Sequence, residues 1–130
     1  MRIQAAAHRR GVALAPMLVA ALLLAGCSGG TRAGDLAFTQ IAPDVFTVVI
    51  DPRADVPKTE AALRKHCENR PSCTIYGWTS ATAAAHAVPL DDPHYASLAL
   101  RYVAHAVGTD DMMWDCLRFR AAKAPCLPKA

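Results

Sequence analysis

The side chains able to do chemistry are few and scattered. Four histidines lie beyond residue 60: His66, His86, His94 and His105. Metal ligands must converge to about 2.1 Å from one ion, whereas a helix read through His94 and His105 holds them three turns apart, roughly 16 Å along its axis. They then share a polar, solvated face with Ser97 and Arg101. His86 could approach His94 through loop folding, but a pair is not a metal set, and neither a metal nor a cofactor is expected. His66-Cys67 invites the idea of an activated thiolate, since a nearby imidazolium lowers a thiol pKa. Adjacent helical residues do not face each other, however, and Cys73 close by makes a disulfide the simpler use of Cys67. No Gly-x-Ser-x-Gly elbow, phosphate loop or dinucleotide fingerprint accompanies the serines and aspartates. Asp91-Asp92 and Asp110-Asp111 read as cap and loop residues, and no enzyme is expected.

Aromatic surface is concentrated in Tyr76-Gly77-Trp78 and Met112-Met113-Trp114. In a small domain both tryptophans belong in the core. The functional alternative sets an indole at an exposed groove, with Gly77 letting a partner backbone come close. Tyr76, Trp78 and Trp114 are therefore the candidate partner-binding residues.

The front of the chain has its own pattern. Arg2, Arg9 and Arg10 precede an apolar run over residues 12–25, which ends in Ala25-Gly26. This is the layout of a secretory signal, and it is shorter than the roughly 20 residues that a spanning helix needs. Leu24-Ala25-Gly26-Cys27 resembles the lipobox of bacterial lipoprotein precursors: an aliphatic residue, two small ones, then cysteine. That resemblance implies diacylglycerol on the Cys27 thiol, cleavage of the Gly26–Cys27 bond and acylation of the new amino terminus. Two or three acyl chains then hold the protein to a membrane for practical purposes irreversibly. Ser28 after the lipid cysteine resembles the outer-membrane choice of enteric bacteria. Residues 1–26 are thus read as signal peptide, 27–35 as lipidated cysteine and glycine-rich tether, and 36–130 as one small domain whose family is not recognised from the sequence.

Loss of the signal takes three of the 14 basic residues and none of the 11 acidic ones, which leaves 11 against 11. A near-neutral domain lacks the electrostatic footprint of a nucleic-acid binder. Of five cysteines, lipid on Cys27 leaves Cys67, Cys73, Cys116 and Cys126, an even set suited to two disulfides in an oxidising compartment. Three pairings are possible. The proline-containing intervals favour Cys67–Cys73 and Cys116–Cys126, each contributing about 2 to 3 kcal/mol. A cross-pairing through Cys116 stays open, provided its segment lies beside the strand that bears Cys73.

The elements that must position these residues follow from periodicity. Val45 to Ile50 is a β-branched run between Pro-Asp and Asp-Pro turns and predicts a strand. Asp55 caps a helix with Pro57 in its first turn and Thr59, Leu63 and Cys67 along one line. Cys73 to Trp78 predicts a second strand, with Thr74, Tyr76 and Trp78 opposite Cys73, Ile75 and Gly77. Residues 79–90 read as loop. Asp92-Pro93 opens a helix in which Tyr95, Leu98, Ala99, Tyr102 and Ala106 recur at helical spacing and Gly108 supplies the stop. Met112 to Phe119 reads as a third strand, with a helix capped by Thr109-Asp110-Asp111 as the alternative. The expected fold is a small α+β domain of β-α-β-α-β order with two disulfides.

Such a domain, lipid-anchored in the cell envelope and facing the periplasm, suits non-enzymatic binding or assembly, with another envelope protein as partner. An inhibitor of an extracellular hydrolase, or a small enzyme acting on cell-wall or lipid material, is the alternative.

Overall fold

The computed structural model describes residues 35–129, so the signal, Cys27 and all of the tether except Asp35 lie outside the described residues. Five strands form one mixed sheet in chain order: β1 (Phe38–Ala42), β2 (Val45–Val49), β3 (Ser72–Trp78), β4 (Leu100–His105) and β5 (Asp111–Trp114). β1 and β2 are an antiparallel hairpin turning through Asp44, whose φ of 57° an aspartate tolerates better than most residues. β2 and β3 run parallel, because helix α1 (Val56–Cys67) carries the chain back between them. β3, β4 and β5 continue antiparallel. A 3-10 turn (Ala81–Ala83) and a short helix, α2 (Asp92–Ala96), fill the connection from β3 to β4.

α1 forms where the sequence predicts it. The Asp55 side chain accepts from the Lys58 amide at 2.9 Å, and Val56, Thr59, Leu63 and Cys67 make the buried stripe. That stripe packs on Phe46, Val48, Ile75, Leu100, Tyr102, Met112 and Trp114 from the facing side of the sheet. Each fully buried aliphatic or aromatic side chain there contributes roughly 1.5 to 3 kcal/mol. The opposite side of the sheet holds a smaller cluster: Trp78, Ala84, Ala85, Leu90 and Leu98. Alternation along β3 explains the split, since Cys73, Ile75 and Gly77 face α1 while Tyr76 and Trp78 face away.

Two sequence expectations are corrected. The helix read from Asp92 to Gly108 stops after five residues, and the chain then runs as β4. Its cap is Asp91, whose carboxylate accepts from the His94 amide at 3.0 Å. At the other end Ser97 donates to Pro93 O through both its amide, at 3.2 Å, and its Oγ, at 2.9 Å, which closes the last turn. From Leu100 onward the period becomes two: Leu100 and Tyr102 are buried against α1, whereas Arg101 and His105 are exposed. Pairing with all but the last residue of β3 outweighs the local helical spacing. Gly108, at φ 120°, serves the turn from β4 to β5. The second correction shortens the last strand, which ends at Trp114. Asp115 O accepts from the Arg118 and Phe119 amides and its carboxylate from Leu117, so residues 115–119 are a turn. β1, half-exposed along its length, has no counterpart among the strands that periodicity predicts.

Cys67 pairs with Cys73 and Cys116 with Cys126, at Cα separations of 5.6 and 5.4 Å, as the proline-containing intervals favour. The first bridge joins the end of α1 to the start of β3 inside the core. The second ties the turn after β5 to the C-terminal segment. There Trp114 N donates to Pro125 O at 3.1 Å and Leu127 N to Trp114 O at 2.8 Å, so residues 125–127 lie parallel along the β5 edge as a strap.

Candidate recognition face

Of the three aromatic candidates, the structure buries two completely. Trp78 and Trp114 are both 0 % exposed. The Trp78 Nε1 donates to His94 O at 3.1 Å and so ties β3 to α2, while the Trp114 Nε1 donates to Glu60 Oε1 at 3.1 Å and ties β5 to α1. Each indole satisfies its one polar group inside the fold, which is what a core tryptophan requires. Neither offers its ring to a partner. Gly77 likewise admits no outside backbone: an added Cβ there would lie 2.7 Å from Ile50 Cδ1 and 3.1 Å from Leu100 Cβ, both within the core. Tyr76 alone of the three remains half-exposed.

Tyr76 belongs to a row that crosses the sheet on the side away from α1. Thr47, Tyr76, Arg101 and Met113 are successive register partners on β2, β3, β4 and β5. Beside that row Tyr95, Leu98, Met113, Asp115, Leu127 and Lys129 line a groove of about 590 Å³, with Arg101 at its wall. Its floor is apolar. Tyr95 projects from α2 with 54 % of its surface exposed. Burial pushes the Tyr76 phenol above its ordinary pKa, with Tyr95 adding to the effect and Arg101 partly opposing it. At one end the buried Asp115 carboxylate pairs with Lys129 at 3.3 Å and with Arg118 at 3.8 Å. Among the described residues Arg101 has no ion-pair partner, and the other charged residues lining the groove are Asp92 and the paired Asp115 and Lys129. This arrangement can hold an apolar group between Leu98, Met113 and Leu127 and fix its orientation through the charged residues around it.

A second recess, about 600 Å³, opens where α1 meets β4 and the turn after it. The Tyr102 hydroxyl donates to Asp110 Oδ2 at 2.9 Å, and Arg64 Nε donates to the same oxygen at 3.1 Å. Burial, reinforced by the hydrogen bond to Asp110, pushes the Tyr102 phenol up to about 12. Burial alone would raise Asp110, but the bonds from Tyr102 and Arg64 outweigh it and hold the carboxyl below its usual range. These groups satisfy one another and brace β4 and its following turn against α1.

The histidines do not share one helix, which corrects the premise that separated His94 from His105. His94 lies on α2 against Asp91, and His105 ends β4 with its Nε2 3.3 Å from Asp111. Among the described residues no group of three or more His, Cys, Asp or Glu side chains is placed to hold a metal ion. His66 is the unusual one. Its ring stacks on Phe38 at 3.9 Å and meets Phe46 edge-on at 4.5 Å, and its Nε2 is buried without a hydrogen bond.

No family model, curated protein or solved structure matches the chain.

The residues that matter on the open face, Tyr95, Arg101, Asp115 and Leu127, were not singled out from the sequence. Tyr95 and Arg101 fit the spacing of one long helix, which conceals the cross-strand row to which Arg101 belongs. Asp115 and Leu127 were hidden because their roles depend on the strap, which no local pattern announces. Cys27 lies outside the described residues.

Proposed function

We propose that this protein is a lipid-anchored component of the bacterial cell envelope, whose domain is a non-catalytic binding or assembly module. The anchor follows from the resemblance at Leu24-Ala25-Gly26-Cys27. The observation that supports the module is the groove on the open sheet face, apolar along Leu98, Met113 and Leu127 and marked by the unpaired Arg101. Tyr76 and the exposed phenol of Tyr95 edge this face, whereas Trp78 and Trp114 act by holding its strands and α2 in place. Another envelope protein is the partner of this reading, and the outer membrane facing the periplasm is its location.

Two measurements test it. A photo-crosslinking amino acid at Tyr95 in intact cells should capture a discrete envelope protein, and capture should fall when Arg101 is replaced by glutamate. Labelled palmitate should enter the native protein and not a Cys27→Ser form. Unlabelled native protein refutes the anchor; absence of any Arg101-dependent adduct refutes the binding face.

A further inference from the structure

The strap shows what the β5 edge beside the groove accepts. Residues 125–127 add to the β5 edge in parallel through two backbone hydrogen bonds with Trp114. Leu127 packs on the Trp78 cluster, and Lys129, two positions on and so on the same side of an extended chain, reaches Asp115 at 3.3 Å. Pro128 between them has no amide to donate and ends the ladder. The Cys116–Cys126 bridge that holds this segment is exposed at Cys126 and only half-buried at Cys116, whereas Cys67 and Cys73 are 4 % and 0 % exposed. The opposite edge of the sheet, β1, has no comparable strap among the described residues.

We propose that the β5 edge, beside the groove, forms an acceptor site for an extended peptide bearing an aliphatic residue followed two positions later by a basic one. In the closed molecule the chain's own residues 125–129 fill that site, and the Cys116–Cys126 bridge keeps them there. Backbone pairing with Trp114 supplies affinity, the Trp78 cluster on which Leu127 packs selects the aliphatic side chain, and Asp115 selects the cation. A tethered strap competes at an effective concentration in the millimolar range, so an outside peptide enters only once the bridge opens. Opening takes a dithiol reductant. Its two thiols give up two protons and two electrons and close into a disulfide, while Cys116 and Cys126 become two thiols. Only the exposed bridge admits the attacking thiolate.

This inference rests on the open face being the recognition surface, and the test separates the two. A fluorescein-labelled peptide of residues 121–130 carrying Cys126→Ser is titrated by fluorescence polarisation against purified mature protein in detergent. The oxidised protein should show no saturable binding. The Cys116→Ser, Cys126→Ser, Leu127→Asp variant, whose strap can neither lock nor seat, should bind saturably. Replacing Lys129 by alanine in the peptide should then weaken binding about fivefold, the value of roughly one partly exposed ion pair. Should that variant fail to fold by near-ultraviolet circular dichroism, native protein reduced with a small dithiol and capped with iodoacetamide takes its place. A folded, opened protein that ignores the peptide overturns the inference, as does equal binding by the closed form or indifference to Leu127→Asp in the peptide. If the peptide fails while Arg101-dependent crosslinking in cells persists, the strap inference falls and the binding face stands; if both fail, both fall.

Discussion

The two disulfides share a chemistry and differ in everything around them. Cys67–Cys73 closes an interval of six residues in the middle of the core under α1, and Cys116–Cys126 closes one of ten on the surface beside the open face. Chain entropy alone assigns about 2 kcal/mol to the first and about 2.7 to the second. Packing reverses that order. Losing the inner bridge also removes two sulfurs from a dense core and leaves space that the neighbours fill only in part, at about 2 kcal/mol more. The inner bridge is therefore part of the fold, while the outer one controls where a terminal segment lies.

The sharpest way to break this contrast is to delete each bridge. Cys67→Ala with Cys73→Ala should cost about 4 kcal/mol, and Cys116→Ala with Cys126→Ala about 2.7, in urea unfolding followed by tryptophan fluorescence. The outer pair should leave the buried environment of Trp78 and Trp114 largely intact. Equal costs, or a larger cost for the outer pair, would show that burial does not decide the matter. The next effect compares the two faces of the sheet. Gly77→Ala forces a methyl against Ile50 and Leu100 in the closed face and should cost about 2 kcal/mol by overpacking. Arg101→Ala, one strand over but on the open face, should change stability by less than about 0.5 kcal/mol. If the two variants unfold at the same urea concentration, the open face is more tightly built than its exposure indicates.

What the sequence reveals follows the same division. α1, β2, β3 and the inner bridge are legible because their signals are local: Asp55 with Pro57, the Thr59-Leu63-Cys67 line, a β-branched run, and cysteines on either side of a proline turn. β4 is not, since Leu, Ala, Arg and Tyr fit a helix and a strand alike, and the Asp-Pro start of α2 is genuine. Strict alternation of Leu100, Tyr102 and Ala104 against Arg101, Val103 and His105 is the signal that separates them, but only the waiting edge of β3 gives it weight. β1 is short and half-exposed, so its residues carry little periodicity. The groove is legible only through its parts, because it exists where α2, β4, β5 and the strap meet.

A smaller effect concerns the brace between β4 and α1. Tyr102→Phe removes the hydroxyl from Asp110 and leaves that carboxylate to Arg64, which should cost about 1 kcal/mol. In the native protein the Tyr102 phenol should ionise only near pH 12 in an ultraviolet titration. Because its folded pKa lies above the ordinary value of 10.0, its contribution is complete below pH 10 and is lost as pH rises from there towards 12. A phenol that titrates near 10 in the folded protein removes the brace from the account.

The smallest expected effect lies at His66, where β1 meets the closed face. Burial lowers its pKa below the ordinary 6.5, and the neighbouring Arg70 lowers it further. Arg70 Nε donates to His66 O at 3.1 Å, and its guanidinium lies 4.7 Å over the Phe46 ring, so a second positive charge on the imidazole would face the first. Phe38 and Phe46 supply the remaining walls and no counter-charge. The neutral ring is therefore the folded form. Since the unfolded chain takes up the proton first, the stabilisation is complete above pH 6.5 and declines as pH falls from 6.5 through the lower folded value. His66→Phe keeps a ring between Phe38 and Phe46 and removes the titration. The difference between native and variant urea midpoints should shift between about pH 7.5 and about pH 5, with the native protein losing more on acidification. Parallel midpoints across that range would mean that protonated His66 finds room beside Arg70, and that the contact between β1 and α1 is looser than the stacked rings indicate.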